Sequence, residues 1–389
     1  SVRYASADGS GLFLDDVVGK GGEGRRSLSR VTFIDAKGST AVVSDALRES
    51  WSGSLVGSPE LQKIDSQVRA TPIPENLADW ISRCAAAESR PEYLWRWCLY
   101  AVDLLTLPSV PREWRDEVLR LKVLLAMFNV LLDDLADLKS DPELLRELLQ
   151  LASSSADDSA TKGTRNVISQ QVEASTTTGR HAGEEYRRLC FDVWDELTRS
   201  VQRLPRYAEL KSAFQFDVSQ LMTTIDYSQL LNGHPQLLNR ADHDRFSPYG
   251  MMVMCAASID LMVSTSVDAA EFGKIREVVA EGEWMARIGN LVSTWRRELP
   301  AGDITSGIFA EAVASGVITL SQLIDPTRSE RNVRLIELAG IEQRYIRKWR
   351  QHRSRLHQLA ESVTSCPLRL YAEAFDKLWM SEIASIGQK

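Results

Sequence analysis

The chain is predicted to be an all-α protein, a single helical bundle behind a short irregular N-terminal appendage. From Pro74 onward, apolar residues recur at the helical period over long stretches, whereas strand-like alternation is scarce. Prolines and glycines such as Pro108, Gly233, Pro300 and Pro326 interrupt these stretches where helix connections are expected. A length of 389 residues, with 44% hydrophobic and 25% charged residues, is sufficient for one large globular core.

The appendage is expected to span residues 1–75, and the helical domain residues 76–389. In the appendage, Val31–Ile34 and Thr40–Val43 predict a small hairpin. The tract Ser153–Gly163 is polar and low in complexity, which favours a mobile loop. The apolar stretches that predict helices are 77–106, 112–139, 142–152, 182–204, 208–231, 248–266, 271–298, 304–322, 333–362 and 367–385.

Charge and hydropathy disfavour several classes of partner. A net charge of -7 and a pI near 5.5 argue against a nucleic-acid surface, and the basic segment from Arg344 to Arg355 spreads its charges around a helix. A mean hydropathy of -0.21, without an unbroken apolar run of about 18 residues, predicts no membrane span. The first residues lack a signal-peptide core, so a cytoplasmic location is expected. A longer precursor and a homodimer stay open.

The cysteines argue against a disulfide framework or a zinc site. Their number, five, is odd, and they are widely separated. The chain contains neither a Cys-x-x-Cys pair nor a His-x-x-x-His pair. We therefore expect reduced thiols in the core.

An acidic cluster lies within an apolar helical stretch. Asp133 and Asp137 are one helical turn apart, so their carboxylates project from the same face, and Asp134 is adjacent. The preceding run Val123–Phe128 is apolar, and unpaired anions near such surroundings are strongly disfavoured. A divalent cation is the natural partner for these carboxylates.

A second row of oxygen ligands follows much farther along the chain. Asn290, Thr294 and Glu298 recur at i, i+4 and i+8, which places an amide, a hydroxyl and a carboxylate along one stripe of a helix. Ligands that are all oxygen favour Mg²⁺ over zinc, and Mg²⁺ in turn indicates a phosphate ester. Either row alone is also compatible with a solvated helix face. The two together predict a magnesium site for a diphosphate ester.

These motifs resemble those of bacterial-type class I terpene synthases, which carry an Asp-Asp-x-x-Asp motif and, farther on, an Asn-Asp-x-x-Ser/Thr-x-x-x-Glu triad. The matching metal ligands are Asp133, Asp134, Asp137, Asn290, Thr294 and Glu298. The arrangement extends over roughly residues 80 to 380, and Gly302-Asp303 follows Glu298 as a Gly-Asp pair often does in the family. Two departures stand out. Leu291 replaces an acidic residue, and Asn129 and Phe128 lie near the position where the family often has an aromatic residue.

The resemblance also implies diphosphate-binding residues. Arg297 stands where the family has a basic contact, and Arg245 precedes Asn290 by about the separation of the family's diphosphate-sensing arginine. Arg369 and Tyr371 are similar to the family's Arg-Tyr pair, although Leu370 separates them. These four residues are expected to serve the catalytic step.

By resemblance, the helical domain is the catalytic domain of a lyase. The implied reaction is the Mg²⁺-dependent ionisation and cyclisation of an acyclic prenyl diphosphate, with a cluster of three magnesium ions. A C20 substrate is slightly favoured over C15 by the length of the chain. A chain-elongating prenyl transferase and a non-catalytic helical binding protein are the alternatives. Trp95, Trp97 and Tyr100 are aromatic residues that precede the acidic helix and are available to stabilise a carbocation.

Overall fold

A computed structural model describes four short strands within residues 2–42, and then residues 58–88, 90–138, 141–153 and 181–388. The chain divides into two compact units, Ser1–Ser58 and Pro59–Lys389. Most of the tract Ser153–Gly163, for which a mobile loop was predicted, lies outside the described residues.

The first unit contains an antiparallel sheet. Its strands are β1 (Val2–Ala5), β2 (Gly11–Leu14), β3 (Val31–Ile34) and β4 (Thr40–Val42), which pair in the order β1-β2-β3-β4. The predicted hairpin is confirmed, because Ile34 lies opposite Thr40 in the β3–β4 pair. Two strands precede it in a segment for which only irregular structure was expected.

The second unit is all-α within the described residues, as predicted, and it begins earlier than residue 76. Its first helix buries only Leu61 and Val68, a stripe too narrow to stand out in the sequence. The helices are α1 (Pro59–Ala70), α2 (Glu75–Glu88), α3 (Glu92–Leu104), α4 (Arg115–Leu138), α5 (Pro142–Ser153), α6 (His181–Val201), α7 (Tyr207–Gly233), α8 (Arg240–Phe246), α9 (Val253–Val263), α10 (Phe272–Ala301), α11 (Gly307–Ala314), α12 (Leu320–Leu323), α13 (Ser329–Leu338), α14 (Ile341–Ala360) and α15 (Arg369–Ala384).

Helices α4 and α10 form the centre of the bundle. Helix α4 packs against α3, α6 and α7, and its run Val123–Phe128 is buried throughout. Its first turn carries Asp116 and Glu117, whose negative charge suits the positive end of the helix dipole. Helix α10 packs against α9, α14 and α15, and it ends at Gly302, which adopts the left-handed conformation at φ 81°.

Local backbone chemistry divides four stretches that were expected to be continuous, one of them 304–322, where Gly316 at φ 71° lies between α11 and α12. Pro91 separates α2 from α3, because proline lacks an N–H donor and restricts the residue before it. Gly340 at φ 65° separates α13 from α14. The stretch 248–266 is interrupted at Met252, which joins a 3₁₀ helix (Ser247–Met251) to α9 with φ 54°.

The cysteines of the helical unit agree with the prediction of reduced thiols in the core. The five cysteines are free and buried. In the basic helix α14, Arg344, Arg353 and Arg355 pair with acidic residues of other helices. No single helix among the described residues is long and apolar enough to cross a membrane, although the bent pair Arg240–Met251 and Val253–Val263 meets that test by length and composition.

Helix α10 packs tightly against α15 at Gly282. A Cβ atom built on Gly282 would lie 2.3 Å from Cζ of Phe375, which is itself buried. No real side chain tolerates such a contact, and a packed aromatic ring cannot swing away. The absence of a side chain at Gly282 therefore sets the distance between the two helices.

We expect Gly282→Ala to lower the free energy of unfolding by about 1–3 kcal/mol, the usual effect of overpacking a core. Gly273→Ala is the matched control, since it lies in the same helix with nothing within 4 Å of an added Cβ. The control should be neutral or stabilise the protein by up to about 1 kcal/mol. Urea unfolding would measure both, and equal stability of the two variants would contradict the assignment.

Candidate active site

A pocket of about 230 Å³ opens among α3, α4, α7 and α10. The two rows of predicted ligands, far apart in sequence, both line this pocket. The sequence-predicted residues in its lining are Asp133, Asp137, Asn290, Thr294, Arg297 and Glu298. Helix α4 presents the first row and α10 the second, because each set recurs at the helical period.

Asp134 makes different contacts from its neighbours. It is buried, does not line the pocket, and accepts two hydrogen bonds from the guanidinium of Arg90, one of them from Nε at 3.1 Å. Arg90 precedes α3 and does line the pocket. Asp134 therefore holds an arginine at the pocket wall, and it was predicted as a direct metal ligand.

The lining of the pocket contains more acidic than basic side chains. Asp133 is reached by solvent from the pocket, yet the surrounding cleft removes hydration, and this burial together with Asp303 raises its pKa to about 6. Burial and the nearby Asp133 raise the pKa of Asp137 to about 10. Burial and Asp303 raise the pKa of Glu298 to about 7. Each carboxylate resists ionisation in the presence of the others.

The residues present fit a divalent cation of the hard, oxygen-binding type. Glu298 has a buried Oε2 without a hydrogen-bond partner, and the Thr294 hydroxyl donates to the carbonyl of Asn290 at 2.8 Å, so its oxygen keeps its acceptor capacity. Among the described residues, no three His, Cys, Asp or Glu side chains are already gathered around one point suited to a metal. A site here thus needs the amide and hydroxyl oxygens of the second row as well as its carboxylate.

Sequence reasoning overlooked two cations and one anion of this pocket. Arg90 was placed inside a continuous helix, and the signal that it lies at a helix boundary was Pro91. Arg287 precedes Asn290 by three residues, so the period of the second row would have included it. Asp303 was noticed in the Gly302-Asp303 pair but was not assigned to the site.

Arg287 bridges the second row and the break before α9. Its Nε donates to Ser247 Oγ at 2.7 Å, and its Nη1 donates to Asn290 Oδ1 at 3.0 Å. The guanidinium therefore occupies the oxygen that Asn290 would offer to a metal ion. Its charge also lowers the pKa values of Asp133 and Glu298, against the larger effect of burial.

Three predicted catalytic residues lie away from the pocket lining. Arg245 is exposed on the short helix α8, with its guanidinium 5.3 Å from the ring centroid of Phe246. The Arg369 side chain is 87% exposed and pairs with Glu373 one turn along α15. Tyr371 is buried in the core, 5.3 Å from Phe375 between ring centroids. The helix period turns these side chains to other faces.

The pocket wall beside the acidic row is polar. Asn129, one turn before Asp133, lines the pocket and donates through Nδ2 to the carbonyl of Gly250 at 3.1 Å. Phe128 is not in the lining and stacks on Trp194, with ring centroids 4.6 Å apart. Of the aromatic residues on α3, Trp97 lines the pocket, whereas Trp95 is fully buried.

The break before α9 is held by the carboxyl group of Glu283. Met252 has φ 54°, a conformation that costs a residue with a side chain about 1–3 kcal/mol. Glu283 of α10 accepts hydrogen bonds from the backbone N–H groups of Val253 at 3.1 Å and Met254 at 2.6 Å. These two groups belong to the first turn of α9, where N–H donors lack helical partners. Glu283 thereby holds Gly250–Met252 in the pocket wall.

A search of solved structures found a similar protein. The chain is similar to the crystal structure of linalool/nerolidol synthase from Streptomyces clavuligerus in complex with 2-fluorogeranyl diphosphate, with 15% identity, 84% of this chain and 98% of that chain covered, and a TM-score of 0.44. No family model and no curated protein matches the chain. The function of the pocket therefore has to be inferred from its own residues.

We expect Glu283 to make stability depend on pH. Burial raises its pKa to about 8 in the folded state, so folded protein binds this proton more tightly than unfolded protein does. The stabilisation is complete below the ordinary carboxyl pKa and is lost as pH rises towards 8. Relative to Glu283→Gln, the wild type should lose up to about 1.4 kcal/mol per pH unit, the limit for one proton.

Urea unfolding from pH 5 to pH 9 would measure this difference. Glu373→Gln, a change at an exposed carboxylate, is the control and should run parallel to the wild type. Parallel profiles for the wild type and Glu283→Gln would show that Glu283 does not retain a proton in the fold.

Proposed function

We propose that this chain is a class I terpene synthase that ionises and cyclises an acyclic prenyl diphosphate in the pocket between α4 and α10. The observation that supports it best is that both motif rows, separated by more than a hundred residues, line one pocket with surplus carboxylates. If one row were only a solvated acidic face and the other an ordinary polar stripe, we would not expect both to line the same pocket. The resemblance of the motifs adds the substrate class.

Mg²⁺ would be held by the side chains whose charge is not neutralised within the pocket. We assign Asp133, Asp137 and Glu298 as carboxylate ligands, with Asn290 and Thr294 completing the oxygen set. When bound, Mg²⁺ supplies positive charge that stabilises the departing diphosphate. Asp134 acts through Arg90, which it orients towards the same pocket. A cluster of three ions remains the family expectation.

The diphosphate would be bound by the arginines that line the pocket. Guanidinium groups bind phosphate oxygens in a bidentate manner, and those available are Arg90, Arg287 and Arg297. We assign the contact to these residues rather than to Arg245 and Arg369. As the allylic C–O bond breaks, they neutralise the charge that develops on the leaving oxygen.

Arg287 would change partners when the site fills. In the structure, its Nη1 donates to Asn290 Oδ1, which places a positive charge among the acidic groups. If Asn290 Oδ1 were to serve as a metal ligand, the Arg287 guanidinium would give up this hydrogen bond and could contact the incoming diphosphate. Arg287 would then act first as an internal counterion and afterwards as a substrate contact.

The hydrocarbon chain would extend into the apolar part of the pocket. Trp97, Val130 and Ile225 lie in this wall, and an aromatic face stabilises a carbocation that water would quench. Cyclisation ends with loss of a proton or capture of water, and the diphosphate can take the proton. The slight preference for a C20 substrate rested on the length of the protein chain. That preference loses its basis, because residues 1–58 form a unit of their own.

Product analysis tests the function directly. Purified protein with Mg²⁺ and C10, C15, C20 or C25 prenyl diphosphates should release diphosphate and a terpene that mass spectrometry identifies. A product that forms only with added isopentenyl diphosphate would establish the chain-elongating alternative. If no substrate is turned over and no diphosphate binds, a non-catalytic binding protein is the better description.

Asp137→Asn is expected to abolish turnover and the rise in melting temperature that Mg²⁺ and inorganic diphosphate cause together. The wild-type rise should grow from pH 6 to pH 9, because raised pKa values of about 6, 10 and 7 at Asp133, Asp137 and Glu298 mean that metal must displace protons. Without metal, the variant should melt at least as high as the wild type, since a repelled carboxyl has been removed.

Glu373→Gln is the control for these melting experiments, because its carboxyl is exposed outside the pocket lining. It should retain turnover and the metal-dependent rise. A normal metal response in Asp137→Asn would remove Asp137 from the ligand set.

Arg287→Ala should lower kcat/KM by roughly one to two decades, as expected for loss of about 1.5–3 kcal/mol from a charge-assisted contact. The stabilisation by Mg²⁺ should remain, because the change frees Asn290 Oδ1. Arg369→Ala, at an exposed arginine, should stay within about twofold of the wild type. A larger loss of kcat/KM in Arg369→Ala than in Arg287→Ala would instead assign the diphosphate contact to Arg369, as the sequence predicted.

A further inference from the structure

A fully buried ion pair lies in the middle of the bundle, remote from the acidic rows. Lys122 of α4 and Asp260 of α9 are both 0% exposed, with Nζ 2.6 Å from Oδ1. Asp260 also accepts from the backbone N–H of Leu107 at 2.9 Å, and Nζ lies 3.1 Å from the hydroxyl of Thr106. Both charges therefore have several polar partners without water.

Lys122 lies on the same face of α4 as the acidic row. Lys122, Ala126, Asn129, Asp133 and Asp137 follow one another at i, i+4, i+7, i+11 and i+15, a nearly straight stripe along the helix. From Lys122 to Asp133, the helix rises about 16 Å at its standard 1.5 Å per residue. An extended chain of three isoprene units is of comparable length.

A second, smaller pocket of about 70 Å³ adjoins the first along this stripe. The two share five lining residues, so they are neighbouring parts of one chamber. These are Trp97, Cys98, Ala126, Met251 and Met252. Among the residues that line the smaller pocket, Lys122 is the one with a charge, and the other lining residues are apolar and mostly buried.

Stability alone does not explain a charge in that place. Desolvating two ions is costly, and replacing a buried pair by uncharged residues is often neutral or even stabilising. What the pair does is fix the Lys122 side chain in the wall of the smaller, apolar pocket. Hydrocarbon cannot displace it, because breaking the pair would leave Asp260 charged and unpaired.

On the basis of the proposed function, we propose that Lys122, held by Asp260, closes the inner end of the substrate chamber and limits the prenyl chain to fifteen carbons. Lys122 is then a specificity-determining residue that lies a full chain length from the diphosphate. A C20 chain would have to fold back or push against a side chain that its ion pair holds in place, and both raise its free energy of binding.

Binding of prenyl alcohols without Mg²⁺ tests the limit independently of ionisation. By isothermal titration calorimetry, wild-type protein should bind farnesol, the C15 alcohol, at least about tenfold more tightly than geranylgeraniol, the C20 alcohol, a difference of about 1.4 kcal/mol. In Lys122→Met/Asp260→Asn, which keeps an acceptor for Leu107 and makes the end apolar and flexible, the ratio should fall to within about threefold.

The matched control is Arg276→Met/Asp217→Asn, which removes another ion pair with a buried aspartate, outside the lining of both pockets. It should leave the ratio of the two affinities unchanged. Equal wild-type affinities, or an unchanged ratio in the folded Lys122 variant, would overturn the proposal. Equal affinities of the wild type for the two alcohols would overturn the proposal even if the Lys122 variant does not fold.

Turnover separates this inference from the function on which it rests. A C15 limit in alcohol binding without release of diphosphate from any prenyl diphosphate would retain the closed chamber and remove the synthase. Turnover of C15 and C20 diphosphates at equal kcat/KM would retain the synthase and remove the C15 limit.

Discussion

Repulsion among carboxylates in a confined cleft is the constraint around which this molecule is organised. Asp133, Asp137 and Glu298 come from two helices, and burial together with neighbouring carboxylates raises their pKa values, so the cleft by itself opposes their approach as anions. What keeps them together is the apolar packing of α4 and α10 within the bundle. Such a site holds protons or cations strongly, which suits a metal-dependent reaction on an anionic ester.

Helix α10 links the packing of the core to the chemistry of the pocket through the helical period. At Gly282 it touches α15, and one residue later Glu283 holds the break before α9. One turn farther on, Arg287 contacts Ser247 of the 3₁₀ helix before that break and also the second ligand row. A change in the packing of α10 would therefore move the pocket wall and the ligands together.

Polarity along α4 changes with depth in a way that fits a substrate with one charged and one apolar end. The mouth carries carboxylates, Asn129 follows one turn deeper, and Ala126 leads to the chamber of about 70 Å³. Lys122 then returns charge at the inner end, where Asp260 neutralises it. The walls of the middle part are apolar, which would disfavour water along the path proposed for the hydrocarbon chain.

The sequence by itself determined the helical class, and it supplied both rows of predicted ligands and the magnesium hypothesis, because these depend on periodicity within one helix and on the chemistry of oxygen ligands. It did not show that Asp134 turns to Arg90, that Arg245 faces solvent, or that Arg287 enters the pocket. Those facts depend on how helices are rotated against one another. Only the tertiary structure decides that rotation, since it follows from contacts between residues that are distant in the chain.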